Sequence, residues 1–315
     1  MASLNDIEQA NARINGHVRR TPTVRFSPLR DELPCEIYLK LENLQVTGSF
    51  KARGAVNKVM SFPHEAIAQG VITASGGNHG LGVAYAAHLM KVPATVFVPE
   101  KANQARRDRL ARWGATVVVG GRDWDDAYAS ALHECKKTGK PMVHPFNDEY
   151  VIAGQGTAAK ELLADCPNLD AVIVPIGGGG LIAGVATYIK ETSPNIQVIG
   201  VEPTGAASMN ASIEAGKIVE LTELKSIADT LSARSVGDLT FGATQEYVDR
   251  IVLIDDDAMR NTMRRLWNEY ALLVEPSGSA ALAALIEGKT RISEGSRVAV
   301  IVSGGNIDAS SALAI

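Results

Sequence analysis

Eight short runs of apolar and β-branched residues punctuate the chain: EIYLKLEN (36–43), VITAS (71–75), ATVFVPE (94–100), ATVVVGG (115–121), AVIVPIG (171–177), QVIGVEP (197–203), RIVLID (250–255) and VAVIVSGG (298–305). Most are continuous rather than alternating, the pattern of parallel strands buried on both faces. Helical stretches lie between most of them, among them ARGAVNKVM, NQARRDRLARWG, DDAYASALHECKKTGK and GLIAGVATYIKET. Several stop at a glycine or in a basic last turn, as helices do. The alternation predicts an α/β fold with right-handed βαβ crossovers.

Composition narrows the function classes. A chain of 315 residues, 46% hydrophobic, can bury a sizeable core. Its formal net charge is -4, and Lys and Arg are scattered along helices instead of gathered in a stripe, so nucleic acid is not an expected partner. Small molecules are. Cys35, Cys135 and Cys166 are odd in number and widely spaced, which predicts neither a disulfide framework nor a zinc site. The N-terminus lacks the apolar core of a signal peptide, and the longest apolar run, AVIVPIGGGGLIAGVA, is broken by four glycines. No membrane association and a reducing cytoplasm are expected.

Open parallel sheets bind ligands beyond the carboxyl ends of their strands. Four such ends are rich in glycine or small polar residues: TGSFK, SGGNHG, IGGGGLIAG and SGGN, and they predict one shared site. Gly177, Gly178, Gly179 and Gly180 enter a helix, so their N–H groups can converge on a phosphate. A tight turn needs only one or two glycines, whereas four cost much backbone entropy. Gly178, Gly180 and Ala183 also satisfy G-x-G-x-x-A, with Glu202 near a ribose-binding position, so a nicotinamide-dependent oxidoreductase competes. Ser75, Asn78 and the N–H groups of SGGNHG form a second anion site suited to a carboxylate, although Asn78 alone reads as a cap. His79 ordinarily packs or caps, and is kept as a candidate substrate contact with Gly76. A lone Lys51 would be solvated surface. Beside two anion sites, it suggests a phosphorylated aldehyde held on the lysine amine.

Six motifs in order, LKLENLQVTGSFKARGA, SGGNHG, VIAGQGT, GGGGL, VEPSG and SGGN, resemble the β-family (fold type II) of pyridoxal-phosphate enzymes over nearly the whole chain. Within it, they are most similar to the threonine/serine dehydratase and serine racemase branch. The resemblance implies two domains, each an open, mostly parallel twisted sheet flanked by helices, as in the tryptophan synthase β-like fold. It places a large cofactor-binding domain at 1–69 and 148–315 and a small one at 70–147. It makes Lys51 the Schiff-base lysine and catalytic base, and packs Phe50 on the pyridoxal 5'-phosphate ring. The phosphate falls to Gly177–Gly180, the ring hydroxyl to Asn78 and the pyridine nitrogen to Ser303. A serine there carries no charge to keep that nitrogen protonated, which favours elimination over routes needing a long-lived carbanion. The bound phosphate is left, by exclusion, as proton donor to the departing hydroxyl.

The expected activity is dehydration and deamination of L-threonine or L-serine to a 2-oxo acid and ammonia. Serine racemase is an alternative, but Gly76 stands where related racemases carry a proton-bearing serine. Phe146 replaces their asparagine with a wall suited to a β-methyl group. 3-Hydroxyaspartate dehydratase is another alternative, should Arg234 grip a second carboxylate, although a loop arginine is ordinarily solvated. Glu202 and the Ala206 carbonyl match a cation site of some relatives, where Ser208 replaces an aspartate and weakens a hard-ion site; a divalent or monovalent cation is left open. A sensor reusing the fold would not need a reactive Lys51. The chain ends soon after SGGN, so no amino-acid-sensing domain is expected, and a catabolic, unregulated or nucleotide-regulated homodimer is.

Overall fold

The computed structural model describes residues 1–27, 33 and 35–308. Its elements are α1 (Leu4–Ile14), β1 (Thr23–Phe26), β2 (Glu36–Leu41), α2 (Lys51–Ser61), α3 (His64–Ile67), β3 (Val71–Ala74), α4 (Asn78–Met90), β4 (Ala94–Val98), α5 (Gln104–Arg112), β5 (Thr116–Val119) and α6 (Trp124–Thr138). There follow α7 (Glu149–Asp165), β6 (Ala171–Pro175), α8 (Gly180–Thr192), β7 (Gln197–Pro203), α9 (Ser208–Ala215), α10 (Asp238–Tyr247), β8 (Arg250–Ile254), α11 (Asp256–Tyr270), α12 (Pro276–Ile286) and β9 (Arg297–Val302).

Six strands form one sheet in the order β1-β2-β9-β6-β7-β8, and three form another in the order β3-β4-β5. Every neighbouring pair is parallel except β1 with β2. All eight apolar runs are strands. The chain adds β1, whose four residues TVRF bury only Phe26, too short a pattern to stand out. The expectation of burial fails for β5: Val118 and Val119 are 37% and 42% exposed, because this strand pairs only with β4 at the sheet edge.

Alternate residues of the larger sheet feed two cores. Ile37, Leu39, Ile173 and Val300 face α11 and α12, whereas Val172, Val174 and Ile301 face α8. The smaller sheet buries Val71, Val96 and Val98 against α2 and α4, and Ile72 and Phe97 against α6. Helix α2 thus packs into the smaller sheet's core while also crossing α7.

The crossings rely on missing side chains. A Cβ on Gly154 of α7 would stand 2.6 Å from the Cα of Gly54 of α2, and one on Gly82 of α4 would stand 3.0 Å from the Lys51 carbonyl. Glycine inside a helix costs roughly 0.5–1 kcal/mol against alanine, and here it brings the backbones into contact. Because β2, β9 and β6 are adjacent and parallel, residues 42–50, 303–306 and 176–180 all leave the larger sheet at one end. The three cysteines are unpaired, no cluster of three His, Cys, Asp or Glu occurs among the described residues, and no helix among them is long and apolar enough to cross a membrane.

Candidate active site

Lys51 opens α2, and the loop before it is tied to the loop after β9. Phe50 N–H donates to the Ser303 carbonyl at 3.1 Å, Gly305 N–H to the Gly48 carbonyl at 2.9 Å, and Asn306 Nδ2 to the Thr47 carbonyl at 2.7 Å. Backbone pairing therefore fixes where the lysine begins. Its Nζ donates to the Pro145 carbonyl at 2.6 Å and lies 5.2 Å from the centre of the Phe50 ring. Among the described residues no carboxylate pairs with it. Burial lowers its pKa to about 8, so the neutral amine is far better populated at neutral pH than for an ordinary lysine.

Lys51 faces an open cleft of about 420 Å³ lined by Phe50, Asn78, Gly177–Gly180, Thr230, Glu275, Ser277 and Ser303. The glycines lead into α8 with Gly179 at φ +90, a left-handed conformation that favours glycine, and no side chain caps this 13-residue helix. Its first N–H groups are thus left for an anion at the positive end of the dipole. The surroundings leave no room for larger residues: a Cβ at Gly178 would run into the Phe146 ring, and one at Gly177 would stand 3.0 Å from the Leu231 Cα. Thr240 Oγ1 donates to the Gly178 carbonyl at 2.8 Å, which steadies the turn.

The second candidate anion site likewise leaves backbone N–H groups uncapped. Helix α4 begins at Asn78 without a side-chain cap, and Gly77 N–H donates to Ser75 Oγ at 3.3 Å. Gly76, Gly77 and Asn78 border a recess of about 270 Å³ with Leu81, Arg106, Arg109, Thr230, Glu275 and Asn306. Arg106 is paired with Asp229 at 2.5 Å.

The remaining candidates differ. Phe146 packs over Gly178 and Gly180 and forms a wall of the glycine loop. His79 is turned away: its Nε2–H donates to the Val143 carbonyl at 3.0 Å, and burial, helped by Lys51, drives its pKa down to about 3. Arg234 does not line the cleft. It pairs with Asp125 at 3.1 Å and donates to the Leu221 and Thr222 carbonyls at 2.7 and 3.0 Å. Glu202 is fully buried, its carboxyl pushed up to about 7 by that burial, and accepts Met209 N–H at 2.9 Å and Asn210 N–H at 2.7 Å in the first turn of α9. Ala206 and Ser208 are buried beside that turn, with Ser208 Oγ lacking a partner. One carboxylate already holding two N–H groups is a poor donor set for a divalent ion.

Glu275 was not foreseen as a site residue, although it sits in the VEPSG motif. Nothing in the order of residues says that the carboxylate before Pro276 meets Asn78, 197 positions away. It is buried and accepts Asn78 Nδ2–H at 2.6 Å; burial raises its pKa to about 7. Thr230, whose hydroxyl meets that of Ser277 at 2.5 Å, and the Pro145 carbonyl were missed likewise.

A family model described as "Pyridoxal-phosphate dependent enzyme" matches residues 14–304. An L-threonine ammonia-lyase of Geobacter sulfurreducens is 43% identical over 302 residues, 96% of this chain and 75% of that protein. Two solved structures superpose closely: maize serine racemase with a TM-score of 0.95 at 35% identity, over 99% of this chain and 96% of that one, and threonine deaminase isoform 2 of Solanum lycopersicum with 0.92 at 35%, over 98% and 92%. The donors around the cleft fit the group this family carries: uncapped N–H groups for a phosphate, a half-buried lysine without a counter-charge among the described residues for an aldehyde, and Asn78 and Ser303 for the ring's polar atoms. The nicotinamide alternative is set aside, and the chain is a member of the pyridoxal-phosphate-dependent enzymes of fold type II.

Proposed function

We propose that the protein dehydrates and deaminates a β-hydroxy amino acid, L-threonine foremost and L-serine second, to a 2-oxo acid and ammonia. The observation that carries the reading is the half-buried Lys51, with no carboxylate partner among the described residues, facing the uncapped glycine turn of α8 across one cleft. Named relatives that are threonine ammonia-lyases support the choice of substrate.

Pyridoxal phosphate, when bound, supplies the electron sink for the pair left as the substrate loses its α-proton. Gly177–Gly180 would hold the phosphate through backbone N–H groups, with Asn78 available to the ring hydroxyl and Ser303 to the ring nitrogen. The Gly76–Asn78 turn receives the substrate carboxylate at the start of α4. Lys51 Nζ takes the α-proton, and its low pKa keeps part of it neutral and able to do so. The Pro145 carbonyl orients that amine. Phe146 excludes water above the glycine turn and offers an apolar surface to a β-methyl group. Gly76 bears no proton to return from the other face, which favours elimination over racemisation.

The same reading keeps the division into 1–69 with 148–315 and 70–147, with α2 spanning the junction, and a cytoplasmic homodimer. For the cation, a single Glu202 carboxyl already holding two N–H groups, beside the Ser208 hydroxyl, favours a singly charged ion over a divalent one. The test is the absorption spectrum of the purified protein before and after borohydride, followed by oxo-acid release from L-threonine, L-serine and 3-hydroxyaspartate. A yellow protein that fixes the cofactor on Lys51 and turns over L-threonine fastest is expected. A protein that cannot be loaded with pyridoxal phosphate sinks the proposal.

A further inference from the structure

The cleft contains one acid without a place in the reaction just described. Glu275 is buried in its wall, and no residue with a side chain fits opposite it, since a Cβ on Gly304 would collide with its Oε1. Its hydrogen bonds run to one functional residue, Asn78, and to Ser277.

The direction of each bond in this group can be deduced. The Thr47 carbonyl only accepts, so Asn306 must turn its Nδ2 toward it, at 2.7 Å. The second hydrogen of the same nitrogen then goes to Asn78 Oδ1, also at 2.7 Å. With its oxygen facing Asn306, Asn78 presents Nδ2 to Glu275 at 2.6 Å. One N–H of Asn78 is left uncommitted, and Asn78 lines the cleft. Two pins therefore set the amide: Asn306 on the oxygen and Glu275 on the nitrogen.

We infer that Glu275 is a positioning residue, which by accepting one hydrogen of Asn78 Nδ2 aims the other at the ring hydroxyl oxygen of the bound cofactor. The inference rests on the proposed function. A donor held at that oxygen favours its deprotonated form. Glu275 need only accept; an amide oxygen in its place does the same work, so this role depends on geometry and not on charge.

The experiment uses cofactor-loaded protein, with wild type measured first. If wild type takes up no pyridoxal phosphate, the proposed function fails and the test goes no further. With wild type yellow, the ratio of its long-wavelength to short-wavelength cofactor bands is compared with that of Glu275→Ala, Glu275→Gln, Asn78→Ala and the double variant Glu275→Ala/Asn78→Ala. Expected are a shift toward the short-wavelength band in Glu275→Ala, with kcat/KM on L-threonine down on the order of tenfold to a hundredfold as alignment is lost, and values near wild type in Glu275→Gln. The double variant should match Asn78→Ala alone, because Glu275 acts through that side chain. Loss of stability alone would lower the melting temperature without moving the band ratio. A wild-type ratio in Glu275→Ala, or shifts that add in the double variant, overturns the inference. A Gln variant as impaired as Ala overturns it too, in favour of a role for the charge. Should Glu275→Ala fail to fold, Asn306→Ala removes the other pin and must show the same shift, and a wild-type ratio there is equally fatal.

Discussion

Lys51 and Arg53 stand two residues apart at the head of α2, Arg53 fully buried and Lys51 partly so, and the chain treats their charges in opposite ways. Burial by itself would lower the pKa of Arg53, but Glu42 and Glu161 raise it. Its guanidinium reaches Glu42 at 2.8 Å and Glu161 at 2.7 Å, with Thr157 at 3.2 Å, while Lys40 supplies a second cation to Glu161 at 2.7 Å. Two positive and two negative side chains thus join β2, the turn after it, α2 and α7. Lys51 has the Pro145 carbonyl and the Phe50 ring beside it and no carboxylate partner among the described residues, and burial lowers its pKa. A buried charge with matched partners is a fixed part of the frame, whereas one without them is free to exchange a proton. The first holds the second in place.

The contrast is broken most severely by removing the free amine. Lys51→Ala should lose the group trapped by borohydride and lower oxo-acid release by at least about 10²–10⁴-fold, the usual worth of a positioned acid–base group, while circular dichroism shows the fold retained. Undiminished turnover would mean that another group takes the α-proton.

Arg53→Met should act on folding instead. It leaves Glu42 without its buried partner and Glu161 with Lys40 alone, and breaking such a cluster typically costs about 3–5 kcal/mol. Urea unfolding of the cofactor-free protein measures it. A loss below about 1 kcal/mol would show that the cluster relaxes or admits water, and the account of α2 as rigidly anchored would fall.

Lys51→Met sharpens the comparison through pH. The folded-state pKa of Lys51, about 8, lies below the ordinary 10.5, so at pH 7 folding buries a charge at a cost. Between pH 8 and 10.5 the unfolded chain binds more protons than the folded one, and stability rises with pH. The Met variant, free of that cost, should be more stable than wild type in the cofactor-free state at pH 7, by at most about 3 kcal/mol at 1.36 kcal/mol per pH unit. The gap should close as pH approaches 10.5. A gap that is constant with pH would attribute the difference to packing.

Legibility in the sequence followed the same division. Strands buried on both faces announced themselves as continuous apolar runs, and the strand-end glycines marked the cleft because no side chain can replace their backbone groups. TVRF did not, since an edge strand of four residues lacks a pattern, and TVVV misled because hydrophobicity reports strand propensity and not which strand lies at an edge. Lys51, Asn78, Gly177–Gly180 and Ser303 lie in short motifs and do meet in the cleft. Glu275, Asn306 and the Pro145 carbonyl gain meaning only through contacts across 94 to 228 positions, and a backbone carbonyl has no signature of its own. Arg234 and His79 were named for their chemistry, which their surroundings direct elsewhere.

Arg234 is a third cation, and it gives the mildest test. Unlike Lys51 and Arg53 it lies near the surface, its guanidinium divided between a half-exposed Asp125 and two loop carbonyls. Exposed pairs of this kind contribute about 0.2–1 kcal/mol, so Arg234→Ala should lower stability by no more than that. Since it does not line the cleft, kcat/KM for L-threonine and for 3-hydroxyaspartate should fall equally and by less than about threefold, each 1.4 kcal/mol being tenfold. A selective loss on 3-hydroxyaspartate would mean that the arginine leaves Asp125 when a second carboxylate arrives. That would move it from the frame to the reactive side of the comparison and restore the dicarboxylic substrate as a serious choice.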